Sequence, residues 1–152
     1  MIDNSKICSS LNDLLEANYD AQNGFSNAAD ESENPRLATF FQNKADQRRR
    51  FANEIQNEIK RLGGTFSELG TVIGFMQRAW MDVKTAFTTN NEETILEACE
   101  TGEKEALGEY DVFLTDTTVP AAVRTMIERQ RNEIALSHGQ VKNLEEWFNN
   151  KL

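Results

Sequence analysis

Residues 65–90 read TFSELGTVIGFMQRAWMDVKTAFTTN, and the path this stretch takes decides the fold. Thr65 to Gly70 has the character of a loop. Val72, Ile73, Phe75, Met76, Ala79, Trp80, Val83 and Phe87 then predict a short helix of about four turns with a broad apolar face. Thr88-Thr89-Asn90-Asn91 ends it.

On either side the pattern is that of long amphipathic helices. Upstream, Ile7, Leu11, Leu14, Asn18, Phe25 and Ala29 share a face from about Asn4 to Asp30, with Asn4 or Ser5 as the cap. Asn34-Pro35 starts a second helix, because Asn accepts from free backbone N–H groups and Pro has none to leave unpaired. Its stripe is Leu37, Phe40, Phe41, Phe51, Ile55, Ile59 and Leu62, and Gly63-Gly64 stops it. Downstream, a third helix starts at Asn90 or Asn91, with Ile95, Cys99, Gly102, Ala106, Tyr110 and Phe113 on one face. Thr115 to Val119 is a loop. From Pro120 a fourth helix runs to about Asn149, with Val123, Ile127, Ile134, Val141 and Phe148 inward and Leu136 and Leu144 widening the stripe. No stretch alternates at period two long enough to argue a strand.

The fold class is therefore all-α, in a single domain over residues 1–152. Short links make helices one and two antiparallel neighbours, and likewise three and four. A helix of about 27 residues spans roughly 40 Å, and the short helix about 25 Å plus its loops. Residues 65–90 can thus climb most of the bundle, so that helices two and three point the same way. That is a ferritin-like four-helix bundle with a long crossover between helices 2 and 3 containing a short extra helix. A five-helix array with local connections would instead set helices two and three antiparallel.

Composition narrows function. The 152 residues carry 16 Lys+Arg against 25 Asp+Glu, a net charge of −9, which opposes sequence-independent nucleic-acid binding. No apolar run is long enough to cross a bilayer, and the start lacks the basic and apolar segments of a signal peptide. These features predict a cytoplasmic protein with no membrane partner. Cys8 and Cys99 read as reduced, buried residues, with a disulfide between them left open. Charge is unevenly spread: Lys6 faces seven acids in residues 1–34, seven bases face three acids in 35–62, and Lys104 faces nine acids in 91–116. Arg48-Arg49-Arg50 spreads around its helix and makes a poor phosphate-tracking stripe. The oppositely charged helix surfaces favour the pairing by modest surface terms.

A ferritin-like bundle raises the question of two metal ions. The usual ligand set is one Glu from each of two helices and a Glu-x-x-His pair from each of the others. This chain has one histidine, His138, with Ala135 three residues before it, so that set cannot form. The polar residues near the inner faces are Asn18, Gln22, Lys44, Arg48, Glu103, Gln130 and His138. A hydrogen-bonded cluster in which Arg48 or Lys44 neutralises Glu103 accounts for them without metal. One weak metal site, for iron or another divalent ion, has Glu103 and His138 as its candidate ligands. No catalytic residue is nominated, and no cofactor is expected.

Several short stretches together resemble the bacterial ferritin-like proteins of uncharacterised function known as domain of unknown function 2383. They are Leu11-Asn12-Asp13-Leu14-Leu15-Glu16 with Gly24-Phe25 and Ala28-Ala29; Phe41-Gln42 with Gln47-Arg48 and Phe51-Ala52; Arg61-Leu62-Gly63-Gly64; Trp80-Met81 with Lys84-Thr85-Ala86; Cys99-Glu100 with Gly102-Glu103; and Glu128-Arg129-Gln130 with His138. The resemblance spans nearly the whole chain and implies a ferritin-like fold without an established activity. Members of the group carry Glu where this chain has Gln22, which counts further against a metal centre.

The expected function is that of a non-enzymatic bundle without an intact di-iron site, which self-associates or binds a protein partner. The broad apolar face of Val72–Phe87 motivates that expectation. Two alternatives stand beside it: a degenerate metalloprotein with one site at Glu103 and His138, and a stress-related storage or shell-forming protein.

Overall fold

The structure is a computed structural model that describes residues 4–66, Trp80 and residues 92–150. They form four helices: α1 (Ser5–Glu31), α2 (Pro35–Arg61), α3 (Glu92–Leu114) and α4 (Ala121–Asn150). No strand occurs among the described residues. The short helix expected over Val72–Phe87 lies outside them, Trp80 excepted.

The helix ends follow from local chemistry. The Asn34 side chain accepts from the backbone N–H groups of Arg36 at 2.9 Å and Leu37 at 3.3 Å, and Pro35 occupies the first helical position. At the other end of α2, Gly63 has φ 83°; its N–H donates to Lys60 O and that of Gly64 to Ile59 O. This pair of bonds closes the helix with a left-handed residue that favours glycine. Asn4 behaves otherwise than the sequence suggests. Its side chain does not cap α1 but donates to Leu62 O at 3.3 Å, tying the start of α1 to the end of α2. Between α3 and α4, the Arg124 guanidinium donates to Leu114 O and Asp116 O, satisfying carbonyls left free where α3 ends.

Cross-helix contacts fix the directions. The Asn34 N–H donates to Glu92 Oε1 at 3.1 Å, so the start of α2 lies beside the start of α3. Further along, Arg48 meets Glu103. These two helices therefore run parallel. The start of α1 lies beside the end of α3, where Lys6 Nζ is 3.9 Å from Asp116. Thus α2 finishes at one end of the bundle and α3 begins at the other. A local antiparallel turn between α2 and α3 is thereby excluded.

The core falls into two apolar clusters. One contains Ile7, Leu11, Leu15, Phe51, Ile55, Ile59, Tyr110, Phe113, Val123, Ile127 and Ile134. The other contains Phe25, Leu37, Phe41, Trp80, Ile95, Leu96, Cys99 and Val141. We call them the Lys6 half and the Trp80 half. Trp80 sits between α1 and α3, where a Cβ on Gly24 would stand 2.1 Å from its indole and one on Gly102 2.5 Å. Its ring meets Phe25 edge-on at 5.0 Å between centroids. Two glycines thus make a slot that the indole fills.

One apolar residue of α4 departs from its expected place. Leu136 is 69% exposed rather than widening the inner stripe, because two residues after Ile134 the helix has turned by about 200°. Trp147 is 48% exposed, with Phe148 taking the inward position beside it. Cys8 and Cys99 are both free and buried, one in each half.

Candidate functional site

The two apolar halves meet at a polar layer. Asn18, Arg48, Glu103, Gln130 and Ser137 are its buried polar side chains, and all four helices contribute. Each lies on the inner face of its helix, so packing of the apolar neighbours carries it inward. At the centre, Arg48 Nη2 lies 2.7 Å from Glu103 Oε2 and 2.5 Å from Oε1, with both side chains fully buried. The guanidinium also stands 5.5 Å from the Phe25 ring centroid. Taking both charges out of water is costly, and close pairing offsets that cost.

Beside the ion pair runs a chain of hydrogen bonds. Asn18 Nδ2 donates to Leu14 O and to the Tyr110 hydroxyl, each at 2.8 Å. Tyr110 donates to Gln130 Oε1 at 2.6 Å, and Gln130 Nε2 donates to Glu54 Oε1 at 3.2 Å. Glu54 in turn pairs with Arg129. The chain links α1, α3, α4 and α2 in that order. Burial pushes the Tyr110 hydroxyl well above its ordinary range, so it stays protonated as the donor. Burial likewise raises the Cys99 thiol, assisted by the Glu103 charge, which makes Cys99 a poor nucleophile.

The sequence reading expected Arg48 or Lys44 to neutralise Glu103, and Arg48 does so. Lys44 is half-buried, with its ammonium 5.3 Å from the Phe40 ring centroid. Desolvation lowers its pKa despite the nearby Glu103 carboxylate. Gln22 is half-buried. Glu103 and His138, the candidate metal ligands, have separate partners: Glu103 holds Arg48, while His138 Nε2 lies 3.4 Å from Glu100 Oε1. Among the described residues, no group of three or more His, Cys, Asp or Glu side chains is arranged to hold a metal ion. The donor set at the centre does not fit a dinuclear metal site, because the one fully buried carboxylate among the described residues already pairs with a guanidinium.

Two features escaped the sequence reading. Tyr110 was read as apolar stripe, although a buried phenol needs a partner, and that requirement was the available signal. The second is a carboxylate pair on the α3–α4 seam. The Glu145 carboxyl is pushed up to about 7 by burial, by its hydrogen bond to Glu100, and by the charges of Glu100, Glu97 and Glu93. Glu93, Glu97 and Glu100 recur at helical spacing on α3, but only the antiparallel packing of α4 brings Glu145 to them.

With this geometry in view, the comparison with known families is direct. The chain matches the model of the Domain of unknown function (DUF2383) over residues 6–116 and belongs to that family. A search of the curated proteins found no match. No helix among the described residues is long and apolar enough to cross a membrane.

Proposed function

We propose that this protein is a cytoplasmic, ferritin-like bundle whose centre is closed by an ion pair in place of metal, and that it acts by association rather than catalysis. The observation that carries this reading is the close contact of Arg48 Nη2 with the buried Glu103 carboxylate. A permanent cation at the centre neutralises the carboxylate and repels a divalent ion. Burial keeps both the Cys99 thiol and the Tyr110 hydroxyl protonated, which disfavours either as a nucleophile. The crossover helix of a ferritin-like fold belongs to the same proposal and accords with the parallel α2 and α3. Its partner is a second copy or another protein. Exposed Val112, Leu136 and Trp147 supply apolar contact points outside the core.

Elemental analysis of protein purified without chelator, combined with thermal melts, tests the metal-free centre. Metal well below one ion per chain, and a melting temperature unmoved by added iron, manganese or zinc, are expected. Stoichiometric iron or manganese would overturn the reading in favour of a metalloprotein, with Glu103 and His138 as the first ligands to substitute. Light scattering tests association. A strict monomer across micromolar concentrations would refute self-association, and a very large assembly would favour a shell-forming role.

A further inference from the structure

The seam between α1 and α3 is plugged by Trp80, whereas the seam between α2 and α4 is open in the same half of the bundle. A groove of about 550 Å³ lies there. Its apolar walls are Leu37 and Phe40 from α2 and Leu144, Trp147 and Phe148 from α4. Trp147 is half-exposed at its edge. Cavities of this size with mainly apolar walls and few polar groups suit small molecules. The polar lining decides which kind. Among the described residues that line it, Arg36 is the one that carries a charge, and none is a carboxylate. Arg36 is exposed and takes part in no ion pair among the described residues. Asn34, beside it, already spends its side-chain oxygen on the N–H groups of Arg36 and Leu37. In a chain of net charge −9, an apolar groove whose described lining holds one cation and no acid favours negative charge locally.

We propose that this groove binds a small amphipathic monoanion, an alkyl or aryl carboxylate. Its apolar body lies against Phe40, Leu144 and Trp147, and its charged group pairs with the Arg36 guanidinium. An apolar body alone would bind without preference for charge; the guanidinium supplies that preference through a charge-assisted hydrogen bond. This goes beyond the association proposed above and is independent of it, since the groove is remote in sequence from Arg48 and Glu103 and shares no residue with the polar layer.

The test is a titration of the full-length protein with anilinonaphthalene sulfonate, followed by dye emission, with dodecanoate and dodecyltrimethylammonium as competitors. Saturation at one dye per chain is expected, with displacement by dodecanoate and not by the cation. Arg36→Glu weakens both dye and dodecanoate about tenfold or more. It leaves the melting temperature unchanged, because the residue is exposed and an acid suits the first turn of a helix. Trp147→Ala weakens binding of the dye while preserving the preference for dodecanoate over the cation. Absence of saturable binding overturns the proposal, as does unchanged affinity in Arg36→Glu, or equal competition by the two detergents. Loss of dye binding as the chain dimerises at high protein concentration would assign the groove to a second copy instead.

Discussion

On one side of the Arg48–Glu103 pair, the Lys6 half is held by its own four helices. Large side chains such as Leu11, Phe51, Ile55, Tyr110 and Ile127 meet across the axis. Around them Lys6–Asp116, Arg124–Glu128, Arg129–Glu54 and Arg131–Asp111 join opposite charges. The Trp80 half is built differently. Two glycines open a slot that a residue from the connection must fill, the α2–α4 seam stays open, and Glu100 faces Glu145 with like charge. One half is thus packed by periodic helix faces, while the other also takes in an inserted ring.

The junction between the halves is where the largest effect is expected. Arg48→Met leaves Glu103 buried and unpaired, which costs about 3–5 kcal/mol. The double variant Arg48→Met, Glu103→Leu should recover most or all of that loss. Denaturant unfolding of the two variants measures the difference. A double variant as unstable as the single would show that the ion pair itself, and not its imbalance, holds the halves together.

Next in size is the glycine slot. Gly102→Ala or Gly24→Ala drives a methyl group into the Trp80 indole and should cost about 1–3 kcal/mol through overpacking. The effect belongs to the Trp80 half, so it should be much reduced in a Trp80→Ala background. At the far end, Gly63→Ala meets no neighbour but must hold φ 83°, a penalty of about 1 kcal/mol. Thermal melts distinguish the two: the first penalty vanishes with Trp80 and the second does not.

The smallest effect is a pH slope. Glu145 is raised to about 7 and Asp20 to about 6, the latter by burial and the Glu16 charge. Carboxyl groups with raised folded pKa values bind more protons folded than unfolded, so stability falls as pH rises from about 4.5 through 7. The melting temperature should therefore increase on acidification from pH 8 toward pH 5. Glu145→Gln should raise it at pH 8 and flatten the slope. A melting temperature that falls steadily over that range would contradict the assignment.

The two halves also differ in how far the sequence disclosed them. Periodicity located α1 to α4 within a residue or two of their ends, because each apolar stripe repeats every three or four residues. The buried Arg48–Glu103 pair was legible too, since both residues fall on otherwise apolar faces. His138 was placed near the inner face correctly, but its partner is Glu100 and not Glu103. That distinction depends on the rotation of α4 against α3, which no single-helix pattern records. The exposure of Leu136 shows the same limit, for a stripe can be drawn wider than the neighbouring helix covers. The groove exists only once α2 and α4 have been set beside each other, and the Glu100–Glu145 contact only once α3 and α4 have.

Cys8 lies against Gly64 in the Lys6 half, and Cys99 lies in the Trp80 half, both buried. The molecule therefore carries one natural chemical clock on each side of its divide. If the weaker side breathes open by itself, a thiol-specific reagent will modify Cys99 long before Cys8. If the bundle opens only as a whole, the two will react at rates differing by no more than their intrinsic reactivities.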